Sequence, residues 1–256
     1  MRAIRCALAA VLAAGIVTVV AAQPGRQQGG GGQDVSTLVF TNAALQEEIK
    51  VTAAQKEKFK PIAEKQAELN KKRTDMFKGG KDGFDKEKFT ELQDEGKKLT
   101  EESKKVFDDV FTADQKKRLK QISVQTMGVG VFAEPVEAKG KGGFGGQSEA
   151  AKATIKEVGE TLKLTDAQKS KVKGIMEEFN KDRGAIRTDI FGEKGGKGAQ
   201  DPEKQKDFAT KSAKLSTEVM GKIADALDDT QKTAWKGLVG EPFDLAKLRP
   251  VAPKKD

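Results

Sequence analysis

The chain has 256 residues, 47 Lys plus Arg against 39 Asp plus Glu, a formal charge of +8, one cysteine, and neither histidine nor tyrosine. Without histidine the commonest general base and the commonest transition-metal ligand are both missing, which excludes histidine-based catalysis and histidine-ligated zinc. The lysines alternate with Glu and Asp throughout, so the positive excess reads as solvated helix faces, with no nucleic-acid partner expected.

The first predicted element is a secretory signal over residues 1–22. Arg2 and Arg5 form a short positive start, Cys6 to Ala22 is uncharged and largely apolar, and Val20-Ala21-Ala22 supplies the small residues a signal peptidase needs. The run is short for a permanent membrane span, so cleavage after Ala22 and a periplasmic or secreted location are expected. Cleavage removes Cys6, and a mature chain without cysteine suits a bacterial periplasm better than a disulfide-stapled secreted domain. Phe, Ile, Leu and Val make up about a fifth of what remains, close to the level below which chains tend to be disordered. The fold should therefore be thin, with a narrow apolar seam.

Residues 23–36 hold Pro24 and the run Gly29 to Gly32, the composition of a flexible leader. Residues 37–132 then read as a first helical half. It opens with a short leading helix that ends near Val51-Thr52-Ala53-Ala54-Gln55-Lys56, and this six-residue pattern recurs three times. The other copies are Phe111-Thr112-Ala113-Asp114-Gln115-Lys116, Leu164-Thr165-Asp166-Ala167-Gln168-Lys169 and Leu227-Asp228-Asp229-Thr230-Gln231-Lys232. Thr or Asp at a helix N-cap accepts from a first-turn N–H, and Gln three residues on reaches back to the cap's own N–H. Thr52, Gln55, Thr112, Gln115, Thr165, Gln168, Asp228 and Gln231 are thus expected as capping residues, not as ligands or catalysts. Apolar residues follow each glutamine at four places (Phe59, Leu119, Val172, Trp235) and at seven (Ile62, Ile122, Ile175, Leu238), one packing stripe per helix.

From the first box a long helix is predicted over about 53–78, a glycine turn over 79–83, and a return helix over about 86–110 with Asp85 as its cap. Phe59, Ile62, Gln66, Leu69, Arg73 and Met76 step by three and four, as in a coiled-coil-like seam. Residues 133–147, within a glycine-rich stretch that also holds Pro135, form a central linker. Residues 148–248 repeat the first half: Lys50-Val51-Thr52 matches Lys163-Leu164-Thr165 at an offset of 113, Arg73-Thr74-Asp75-Met76-Phe77 matches Arg187-Thr188-Asp189-Ile190-Phe191 at 114, and the later boxes match at 116. A tail occupies 249–256. The expected fold class is all-α: two duplicated, elongated helical hairpins joined by a glycine-rich connection.

Site candidates are few. Gly192-Glu193-Lys194-Gly195-Gly196-Lys197-Gly198 lacks the GK[ST] ending and preceding strand of a phosphate loop, and residues 79–88 lack the first ligands of a calcium loop. No catalytic residue, metal or cofactor is expected, and an enzyme is not. The repeated segment before each glycine turn offers the one shared candidate: Arg73, Met76, Phe77, Arg187, Ile190 and Phe191. These residues either form partner-contact patches near the hairpin tips or close the end of the hairpin core.

Export signal, helical pattern and paired Leu-Thr-x-x-Gln boxes about sixty residues apart resemble the Spy/CpxP family of bacterial periplasmic proteins. Leu164 to Gln168 fits the motif in full, Val51 to Gln55 and Phe111 to Gln115 fit with apolar swaps, and Leu227 to Gln231 departs from it at Asp228. Family members carry two boxes; this chain has four and resembles a tandem duplication. The resemblance implies a thin helical cradle and a non-enzymatic, chaperone-like role: ATP-independent holding of unfolded clients, or envelope-stress modulation. The alternative is an envelope structural or adaptor protein that binds one specific partner. Either way the expected partner is protein, and a zinc link known for some relatives does not carry over to a chain without histidine.

Overall fold

In a computed structural model the chain is described over residues 34–78, 85–134, 147–192 and 201–248, without the side chains of Phe77, Lys78 and Lys86. The expected signal peptide, most of the leader, the glycine turns, most of the central linker and the tail lie outside these residues. Among the described residues 85% are helical and none is in a strand. The all-α class is therefore correct.

The chain divides into two compact units, whose described residues are 34–120 and 121–248. In the first, α1 (Val35–Leu38) and α2 (Ala43–Glu48) precede the long α3 (Ala53–Lys78) and α4 (Lys86–Val110), and α5 (Ala113–Met127) follows. Each start has a side-chain cap. Asp34 accepts from Ser36 N–H, Asn42 from Leu45 N–H, and Asp85 from the N–H groups of Glu87 and Lys88 at 2.9 and 3.1 Å. Those backbone donors, Lys88 first, hold the Asp85 carboxyl below its ordinary range. Helix α2 stops where Lys50 turns left-handed at φ +53°, which lets Val51 N–H reach back to the Gln46 carbonyl at 2.8 Å.

Helices α3 and α4, each nearly 40 Å long at 1.5 Å per residue, pack against one another, and α1 lies against α4. The base of the hairpin holds an aromatic trio: Phe40, Phe59 and Phe111, with ring centroids 5.5, 6.0 and 5.9 Å apart. Val35, Val39, Leu45, Ile49, Ile62 and Leu119 are buried in the same unit. Towards the tip the seam thins to Leu69 and Leu92.

The second unit repeats the plan with α6 (Glu149–Leu162), α7 (Asp166–Phe191), α8 (Pro202–Ala226) and α9 (Asp229–Val239). Ser148 caps α6, Asp201 caps α8 with Pro202 in its first turn, and Lys163 ends α6 in the left-handed region at φ +46°. Lys163 is the counterpart of Lys50. Trp235 is 5% exposed and stacks near Phe132 at 5.2 Å, in a core with Val158, Leu162, Val172, Met176, Phe179 and Ile223.

Two expected boundaries move. Residues 34–36 belong to the capped turn of α1 and not to a leader. The first half ends at Lys120, not at residue 132: Val124, Val129 and Val131 join the second core, and Gly128–Phe132 forms a 310 turn against α6. The buried Gln125 explains the shift. Its amide donates to the Val239 and Glu241 carbonyls, both at 2.7 Å, and accepts from Phe243 N–H at 2.8 Å, which ties this end of α5 to the segment after α9.

Candidate functional site

The four boxes meet in pairs, one pair at the base of each hairpin. In the first unit Gln55 accepts from Thr52 N–H and Gln115 from Thr112 N–H, both at 3.0 Å, so each closes its own cap. The side-chain amides then face each other, Gln55 Nε2 donating to Gln115 Oε1 at 2.8 Å and Gln115 Nε2 to Gln55 Oε1 at 3.1 Å. The second N–H of Gln55 goes to the Val110 carbonyl at the end of α4, and that of Gln115 to the Ile49 carbonyl at the end of α2. Each glutamine therefore starts one helix and finishes another, satisfying donors and acceptors that helix ends otherwise leave open.

The second unit has the same clasp. Gln168 and Gln231 exchange hydrogen bonds of 2.7 and 3.0 Å and donate to the Ala226 and Leu162 carbonyls. Asp228, which replaces threonine, does the same work: its carboxylate accepts from Gln231 N–H at 2.8 Å while Gln231 accepts from Asp228 N–H. With every polar atom of these amides engaged inside the protein, the clasp is architecture and offers no group to a substrate.

The expected tip residues separate. Arg73 and Arg187 are exposed, Met76 and Phe191 half-buried, and the side chain of Phe77 lies outside the described residues. Ile190 is buried at 8% exposure and corrects the contact-patch reading at that position: it closes the end of the hairpin seam. Phe191 packs on Phe208 at 5.5 Å. Arg73 lies across Gly96 of the facing helix, its Nη2 2.6 Å from where a Cβ there would sit.

Sequence reasoning missed a groove on the first hairpin. Leu69 and Leu99 form its floor, Lys65, Glu68, Lys72, Glu95, Lys98 and Glu102 its walls, and its volume is about 220 Å3. Lys65 pairs with Glu102 at 2.6 Å and Lys72 with Glu95 at 3.1 Å, bridging the two helices at either end. The hydrogen bond to Glu95 holds the Lys72 ammonium above its ordinary value. These exposed pairs contribute little stability but fix the rim. The signal was present in part: Leu69 falls in the predicted seam of the first long helix, with Glu68 and Lys72 beside it.

Among the described residues no group of three or more Asp, Glu, Cys or His side chains could hold a metal ion, and no helix is long and apolar enough to cross a membrane. Comparison with known protein families, with curated proteins and with solved structures found no match for this chain.

Proposed function

We propose that the chain is an exported, non-enzymatic binding protein of chaperone-like action, holding unfolded protein segments without ATP in the manner its resemblance to the Spy/CpxP family implies. The observation that carries the reading is the groove between α3 and α4. Its leucine floor and alternating Lys and Glu rim present a shallow apolar strip with charges of both signs alongside. Such a surface takes short apolar stretches of many sequences, because the apolar contact is non-directional and the mixed rim rejects neither sign of flanking charge. The expected export through residues 1–22 places this activity in the cell envelope.

Light scattering of a denatured client tests the proposal. The processed protein at stoichiometric ratio should suppress aggregation, and Leu99→Lys, which puts a charge into the groove floor, should lose most of that suppression while keeping its helical circular dichroism. No suppression by the unmodified chain rejects holding as its function. Suppression that survives Leu99→Lys moves it to another surface.

A further inference from the structure

The seam of the first hairpin is interrupted partway along its length. Phe59 and Ile62 are buried at its base and Leu69 and Leu92 farther out, but the step between them is polar: Gln66 on α3 and Ser103 on α4. The bridge between their neighbours Lys65 and Glu102, at 2.6 Å, sets both residues at one level of the hairpin. Ser103 is 3% exposed, and the Gln66 Oε1 is buried with no hydrogen-bond partner among the described residues. A dry acceptor without a donor regains one from water when the helices part, so this step favours separation where an apolar step opposes it.

At the matching level the second copy is apolar. At the 113-residue offset of the boxes Gln66 corresponds to Phe179, and at the 116-residue offset of the return helices Ser103 corresponds to Val219. Both are buried in one core with Val172, Ile175, Met220 and Ile223, so apolar contact runs through this level without a break. The buried, unpartnered Ser212 Oγ of that copy stands farther out, at the position of Gly96. In the first hairpin Gly96 brings no side chain to the seam beyond the step, where the Leu69 Cδ2 lies 3.7 Å from the place of a Cβ, and a glycine inside a helix weakens it. The bridges Lys65–Glu102 and Lys72–Glu95 join exposed side chains and resist opening only weakly.

We propose that the outer arm of the first hairpin, residues 66–78 of α3 and 86–103 of α4, opens as a unit of its own while the base around Phe40, Phe59 and Phe111 stays closed. Partial openings follow the places where buried apolar contact is sparse, and the polar step is such a place. Opening parts Leu69, Leu92 and Leu99 and turns the shallow groove into a broader apolar strip carried on both helices. The inference deepens the holding function proposed above and rests on it for its purpose: the open arm is the form that takes an unfolded segment. A segment that binds the open arm better than the closed one draws the equilibrium towards it.

Native-state hydrogen exchange of the full processed chain tests the opening, and light scattering of a denatured client tests its purpose. Amides of residues 67–72 and 95–101 should open together, about tenfold more often than those of 57–63 and 104–110, and with a shallower dependence on urea because less surface is exposed. One common rate and urea slope along both helices overturns the proposal. So does a gradient that rises steadily towards the tip, which is fraying. Gln66→Leu combined with Ser103→Val makes the step apolar, and should slow opening of the outer amides about tenfold while suppressing client aggregation several-fold less well than the unmodified chain. Outer amides that exchange as before in this variant overturn the proposal, and so does slowed opening with undiminished suppression. Should the double variant fail to fold, Gln66→Leu alone decides by the same two readouts. No suppression by the unmodified chain rejects holding as the function, whereas the opening still stands or falls on exchange.

Discussion

The Gln231 amide donates to Leu162 and Gln168 and accepts from Asp228 N–H, and the residue is buried. Truncation to alanine leaves a helix-end carbonyl, a cap N–H and the partner amide without their mates together, at about 1 kcal/mol for each lost bond and more where the orphaned group stays dry. Gln231→Ala should cost about 3 kcal/mol by urea denaturation. Gln168→Ala loses the same reciprocal bond, so a double-mutant cycle should return a coupling of about 1 kcal/mol or more. Additive losses would mean that the two boxes act as separate caps. Gln55 is less buried than Gln231, and Gln55→Ala should cost less. At Lys163 the argument runs the other way. Its φ of +46° puts a Cβ where L-residues meet their own carbonyl, so Lys163→Gly should raise stability, by up to about 1 kcal/mol after glycine's larger unfolded entropy is set against the relieved strain.

At the scale of helices, Gly96 and Gly240 give opposite forecasts. Gly96 lies inside α4, where alanine is favoured over glycine by about 1 kcal/mol, and the atom a new Cβ would meet is the far end of the exposed Arg73 side chain. Gly96→Ala should stabilise the first hairpin by roughly 0.5–1 kcal/mol as Arg73 swings aside. Gly240 follows α9 at φ +63°, and a Cβ there runs into the Gln121 amide, which is held by its bond to the Gly237 carbonyl at 3.0 Å. Gly240→Ala should lower the Tm, with a loss of about 2 kcal/mol. Both glycines can be compared in one thermal-melting series. The elements themselves were legible because local chemistry writes them: a cap, a glutamine three residues on, and apolar steps of three and four are all contained in a dozen residues. The clasp was not, since Gln55 and Gln115 are 60 residues apart and meet only when the hairpin returns. Their regular separation in both halves was the available clue. Ile190 shows the same limit at the tip, where sequence gives the stripe but not that Ile190 is buried while Phe191 stays half-buried.

For the whole chain, composition did not mark the point where one compact unit gives way to the next. The linker reading followed flexibility, whereas the division follows contacts, and Gln125 makes its contacts 114 to 118 residues away. No local pattern marks such a residue, for a glutamine on a helix face next to Thr126 reads as surface. Its burial makes it the test of the division. Gln125→Ala removes three hydrogen bonds and strands Phe243 N–H and the Val239 carbonyl in a dry setting, a loss of about 3 kcal/mol. Hydrogen exchange should show the effect where the bonds were. Protection should fall in α9 and in residues 240–248, where Phe243, Leu245 and Leu248 are buried, while amides of α3 and α4 exchange as before, because no bond from Gln125 reaches them. Equal loss of protection in α3 and α4 would place Gln125 in a single cooperative core spanning the chain and would undo the division at Lys120.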